Sequence, residues 1–174
     1  MRGVLVGLAA LLLTSPTHAR VNTADPAAAD YERGAALDAQ GLYDQAIAQF
    51  TRALDLKPDA KTYQGRGVAY EHKGRHDQAI ADLSRAIALK PDFAAAYESR
   101  GVALDQKGLY DRAIADYTHA IALGAASAET YFNRGAAYEH RRLYLKALAD
   151  YRSALAQDPG LKVAQDGVKR LDGR

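Results

Sequence analysis

No cysteine occurs in the 174 residues, no tryptophan, and only one methionine. The first absence removes disulfides, thiolate nucleophiles and thiolate metal ligands together, along with lipid attachment through a mature N-terminal cysteine. Charge of one sign is lacking as well. Lys and Arg number 23 against 21 Asp and Glu, a net charge of +2, which makes no case for nucleic acid or an anionic membrane surface as partner. Long apolar runs are missing: the stretch from Gly3 to Leu13 is too short to cross a bilayer comfortably, so stable membrane insertion is not expected. There is no serine in a strand-to-helix elbow and no glycine-rich phosphate loop, since Gly34, Gly67, Gly101 and Gly135 each stand alone. These absences argue against an enzyme, and no cofactor is expected.

What is present is a repeat. Numbered from Ala60, the stretch 60–93 places Tyr63 at position 4, Arg66 and Gly67 at 7 and 8, Tyr70 at 11, Gly74 at 15, Ala79 and Ile80 at 20 and 21, Leu83 at 24, Ala86 at 27 and Pro91 at 32. Residues 94–127 and 128–161 repeat this spacing, with Tyr97, Gly101, Gly108, Tyr117 and Ala120 in one and Tyr131, Gly135, Tyr151, Ala154 and Pro159 in the other. An earlier copy over 27–59 carries Gly34, Gly41, Ala46, Phe50 and Ala53 and lacks one linker residue. Positions 4, 8 and 11 fall on one helical face, and positions 17, 20, 21, 24, 27 and 28 on a face of a second helix. Two amphipathic helices therefore face one another in each copy. Gly67, Ala79 and Ala86 are small where the helix axes should approach, and Gly41, Gly74 and Gly108 stand where a left-handed turn must end the first helix. The fourth copy has Arg142 there, which predicts a strained or longer turn.

A period of 34 residues with this pattern resembles the tetratricopeptide repeat, over about residues 27–161. The resemblance implies an all-α, right-handed superhelical array of four helix-turn-helix repeats, its first helices lining a concave groove that holds a peptide or extended segment of a partner protein. Leu161, Ala164, Val168 and Leu171 make an apolar stripe, and residues 162–174 are read as a C-terminal capping helix whose charged residues face water. At the other end, residues 1–19 read as a secretory signal peptide cut after Ala19, and 20–26 as a short polar tail. The periplasm is the expected location, with secretion second. Asp25, Asp59, Asp92 and Ser127 are the expected N-caps of the four first helices.

Candidate binding residues are those the framework does not use. Ten of the eleven tyrosines occupy signature positions and are expected in the core. Position 5, a groove-lining position in the family, holds Tyr31, Gln64, Glu98 and Phe132, so that an aromatic stands at each end. Position 12 is acidic throughout, as Asp38, Glu71, Asp105 and Glu139. With first helices about 10 Å apart, these carboxylates form either a ladder for a basic or amine-bearing segment or a merely solvated face. The basic carboxylate clamp known in the family is not matched: Lys61 is basic, but Glu32, Gln64 and Ala95 are not. Arg66 with Asp82, Arg100 with Asp116 and Arg134 with Asp150 are expected to pair across the helices of one repeat, which makes these arginines structural. His72 and His140 share position 13 at roughly 20 Å apart, too far for one metal, and no metal site is expected. The expected function is a non-enzymatic adaptor, monomeric or weakly self-associating. The alternative is an assembly subunit acting through its convex face or C-terminal end, where Leu145 replaces the aspartates of the other copies and serves either as a contact or as packing under the last helix.

Overall fold

The computed structural model describes residues 25–173. The expected signal peptide and residues 20–24 of the tail lie outside the described residues. Among the described residues the chain forms nine helices and no strand: α1 (Pro26–Ala39), α2 (Tyr43–Leu56), α3 (Ala60–His72), α4 (His76–Leu89), α5 (Ala94–Gln106), α6 (Tyr110–Ala122), α7 (Ala128–His140), α8 (Tyr144–Gln157) and α9 (Lys162–Asp172). They pack as successive pairs, α1 on α2, α3 on α4, α5 on α6 and α7 on α8, and each second helix also meets the first helix that follows it. The first helices α1, α3, α5 and α7 additionally touch their neighbours in adjacent repeats, whereas among the described residues no comparable contact joins α2 to α4, α4 to α6 or α6 to α8. First helices are thus crowded and second helices splayed. The superhelical array curves toward its first helices, which form the concave face.

The close approach within each repeat comes from a glycine facing a large side chain. A Cβ on Gly34 would lie 2.8 Å from Phe50, on Gly67 2.8 Å from Leu83, on Gly101 2.7 Å from Tyr117 and on Gly135 2.9 Å from Tyr151. The partners are fully buried, and so are the alanines beside them, Ala46, Ala79, Ala113 and Ala147. Of the ten tyrosines expected in the core, only Tyr117 and Tyr151 are fully enclosed; the others are partly buried and pack along its edge.

Asp25, Asp59 and Ser127 cap their helices, accepting from the N–H groups of Ala27, Thr62 and Thr130. Asp92 does not. The linker before α5 is one residue longer, so Phe93 takes the cap position without a side-chain bond and packs its ring on the core instead. The turns after α1, α3 and α5 place Gly41, Gly74 and Gly108 at φ of 76°, 68° and 72°, and Arg142 adopts φ 58° in the same turn. Arg142 N–H donates to Glu139 O and Leu143 N–H to Tyr138 O, as Gly108 and Leu109 do to Asp105 and Leu104. The fourth turn is therefore strained and not longer, at a cost of about 1 to 2 kcal/mol.

Exposed pairs brace the turn edges. Lys73 donates to Asp44, Lys107 to Asp77, and Arg141 Nε to Asp111 at 2.7 Å. Leu145 holds the matching place in repeat 4 and is 86% exposed. Packing under the last helix is excluded, because α9 lies against the opposite side of α8: Ala164 and Leu171 join the Tyr151 cluster, and a Cβ on Gly167 would come 2.6 Å from the Tyr151 ring. In register α9 is the first helix of a fifth unit that goes no further. Its charged residues, Lys162, Asp166, Lys169, Arg170 and Asp172, are all exposed as expected, with Arg170 reaching Glu139 and Asp172 accepting from Arg152 at the surface.

Gly101→Ala is expected to destabilise the fold by roughly 1 to 3 kcal/mol, because the enclosed Tyr117 ring has nowhere to move. Arg142→Gly is expected to stabilise it by about 1 kcal/mol. Urea unfolding midpoints measure both; an unchanged midpoint for Gly101→Ala would contradict the packing account.

Candidate partner-binding groove

The framework arginines are engaged before any ligand arrives. Arg66 Nε donates to Asp82 at 2.6 Å, Arg100 Nε to Asp116 at 2.7 Å and Arg134 Nε to Asp150 at 2.7 Å, each with a second guanidinium bond to the same carboxylate. Such a fork fixes geometry as well as charge. The hydrogen bond to Asp116 holds Arg100 above its ordinary pKa, against the opposing effect of desolvation. The third nitrogen reaches back to the preceding repeat: Arg66 to Thr51, Arg100 to Ser84 and Arg134 to Thr118. The sequence reading missed this link, although the three hydroxyls share position 25. It missed the first repeat's substitute acid as well. There Gln49 replaces the acid of the second helix, and Asp30, standing where the other copies have tyrosine, is buried beside Arg33 and Arg52 at 3.6 and 3.4 Å.

With the arginines occupied, the concave face is left to positions 5, 9 and 12. Position 9 supplies small apolar side chains, Ala35, Val68, Val102 and Ala136. Along this strip lie two cavities. One of about 150 Å³ is lined by Val68, Glu71, Ser99 and Val102. The other, of about 660 Å³, sits between α7 and α9 with Phe132, Ala136, Tyr151 and Val163 among its walls.

The position-5 residues have different fates. Tyr31 leans on Phe50 at 5.7 Å between ring centroids and carries the Lys61 ammonium 4.3 Å above its own ring, so its outer face is covered. Gln64 Nε2 donates to Ser99 Oγ at 3.4 Å, and Glu98 accepts from the Thr130 hydroxyl. Phe132 packs on Tyr151 at 5.7 Å and opens into the larger cavity. The four acids of position 12 are not equally available. Asp38 Oδ1 lies 3.2 Å from His72 Nδ1, and Glu71 Oε1 lies 3.8 Å from His76 Nδ1. Glu139 accepts two bonds of 2.8 Å from Arg170 and one of 2.8 Å from the Tyr151 hydroxyl. Asp105 Oδ1 is buried with no hydrogen-bond partner among the described residues. Two histidines the sequence gave no role pack on tyrosines of the preceding repeat, His72 tilted against Tyr43 at 4.9 Å and His140 stacked on Tyr110 at 4.4 Å. Among the described residues no group of three or more metal-ligating side chains gathers, and no helix is long and apolar enough to cross a membrane.

Stacked helix pairs with one crowded and one splayed face define a helical-repeat solenoid, the architecture of protein-interaction scaffolds. The chain belongs to the tetratricopeptide repeat family, which it matches over residues 17–61, 31–93, 65–128 and 100–162. No curated protein matches the sequence. Among solved structures it resembles the MamA protein at 24% identity over 86% of this chain and 82% of that one, with a TM-score of 0.78. YrrB, described as a TPR protein with an unusual peptide-binding site, is 22% identical over 84% of this chain and 76% of its own, TM-score 0.73. The first TPR of Spaghetti (RPAP3), bound to the HSP90 peptide SRMEEVD, is 23% identical over 66% and 91%, TM-score 0.64. At these identities the three share the fold.

Burial raises the Asp105 carboxyl above its ordinary range, and nearby His140 partly opposes the shift. The folded chain therefore holds this proton more tightly than the unfolded chain. The penalty grows as pH rises from the ordinary value of 3.8 through the raised folded value and is complete above it. Asp105→Asn is accordingly expected to raise the melting temperature at pH 7 and to lose that advantage below pH 3.8; a lower melting temperature at pH 7 would contradict the assignment.

Proposed function

We propose that this protein is a non-enzymatic adaptor that holds an extended segment of a partner protein in its concave groove. One observation carries the reading: the position-9 strip of Ala35, Val68, Val102 and Ala136 runs the length of the crowded face and opens into cavities at Val68 and Val102 and again beyond Ala136. An apolar floor with polar residues at fixed intervals suits a chain that presents alternate side chains to it. Peptide binding by YrrB and by the Spaghetti repeat, on the same fold, supports the reading. The acids of repeats 1–3, Asp38, Glu71 and Asp105, favour basic side chains along that stretch, with Gln64 and Glu98 on the facing row and Tyr31 at the entrance. Glu139 contributes less, because a basic ligand would have to displace Arg170.

The exposure of Leu145 gives a second reading its footing, self-association through α8. For location we propose, on the sequence alone, export to the periplasm after cleavage at Ala19, with secretion as the second choice.

Capture of a partner from envelope extract by the wild-type protein is expected to fall at least tenfold for Val102→Arg, which fills the groove floor, and to be unchanged for Leu145→Asp. The reverse pattern would move the binding surface to α8 and sink the groove. N-terminal sequencing of the protein recovered from the periplasm should begin at Arg20; an intact Met1 would contradict export by cleavage.

A further inference from the structure

The cavity between α7 and α9 differs from the rest of the groove in two ways. It is roomier, its volume of about 660 Å³ with Phe132, Ala136 and Val163 as apolar lining suiting a side chain together with the atoms that flank it, and its rim is charged. The charges at its mouth are Glu139, Asp166, Arg142 and Arg170, with His140 beside them. Glu139 is neutralised by the two bonds from Arg170, and Asp166 has Lys169 at 3.9 Å. Arg142 alone forms no ion pair among the described residues. It is also the residue held at φ 58° in a turn where the three other repeats use glycine. A strained non-glycine residue at the rim of this cavity calls for a functional reason, and its guanidinium supplies one.

We infer that this cavity is a ligand subsite for an apolar or aromatic group joined to a carboxylate, with the group on the Phe132, Ala136 and Val163 surface and the carboxylate on Arg142. This deepens the groove reading and rests on it for biological meaning. It gives the partner segment a polarity: basic side chains along repeats 1–3, then an apolar residue and an anion at the C-terminal end of the array. Neither the acids of position 12 nor the arginines of position 7 take part. The site exists because α9 supplies one of its walls and because repeat 4 departs from the glycine turn.

The test uses two small probes on the full chain, N-acetyl-phenylalanine and N-acetyl-phenylalaninamide, which differ in the carboxylate. Titrations followed by backbone amide chemical shifts should place the acid at Ala136, Arg142 and Val163, binding at least fivefold more tightly than the amide. Arg142→Gly, which restores the residue of the other turns and so keeps the fold, should abolish that preference while leaving the weaker, ring-driven binding. Equal affinity for acid and amide, shifts located elsewhere, or a preference that survives Arg142→Gly would each overturn the inference. Loss of partner capture with the probes still bound would instead count against the adaptor reading, so the two can fail separately.

Discussion

Everything in this array depends on the contact between a glycine in the first helix of each repeat and a bulky residue in the second. Gly34 against Phe50, Gly67 against Leu83, Gly101 against Tyr117 and Gly135 against Tyr151 bring the paired helices close. Closeness permits the arginine fork: only helices at that separation let Arg66, Arg100 and Arg134 span to an aspartate in their own repeat while touching a hydroxyl in the preceding one. A charged pair in this setting adds less stability than specificity. Its work here is to fix the rotation of one repeat on the next, and repeated rotation is what crowds the first helices and curves the array.

Curvature in turn decides which residues are left for function. Side chains at positions 4, 7, 8 and 10 are consumed by packing, so ligand chemistry falls to positions 5, 9 and 12. The framework then supplies a strip of small apolar residues that is generic, while individual repeats add departures from it. Lys61 over Tyr31, Arg170 on Glu139 and the uncovered Phe132 are such departures. They make the two ends of the groove chemically unlike, which a uniform repeat could not do.

Repeat number, helix order and the arginine pairs were legible in the sequence because each is written three or four times in register. Asp92 misled because its capping signal is local, while the extra linker residue ahead of α5 shifts the cap to Phe93. Leu145 misled for a related reason: periodicity places it on the solvent-facing edge, and only the docking side of α9 shows that nothing covers it. The acids of position 12 were legible as a series in register, but not their partners, which lie at separations such as the 34 residues between Asp38 and His72 that no helical period reports. The cavity beside α9 was invisible for the same reason, since its walls come from three helices whose meeting depends on Gly167.

Amide hydrogen exchange of the protein with and without its captured partner tests the central claim most directly. If the crowded face is the binding surface, protection should increase in α1, α3, α5 and α7 and at the inner side of α9, and stay unchanged in α2, α4 and α6. Protection confined to the second helices would show that the curved face is a by-product of packing and that the partner reads the convex side.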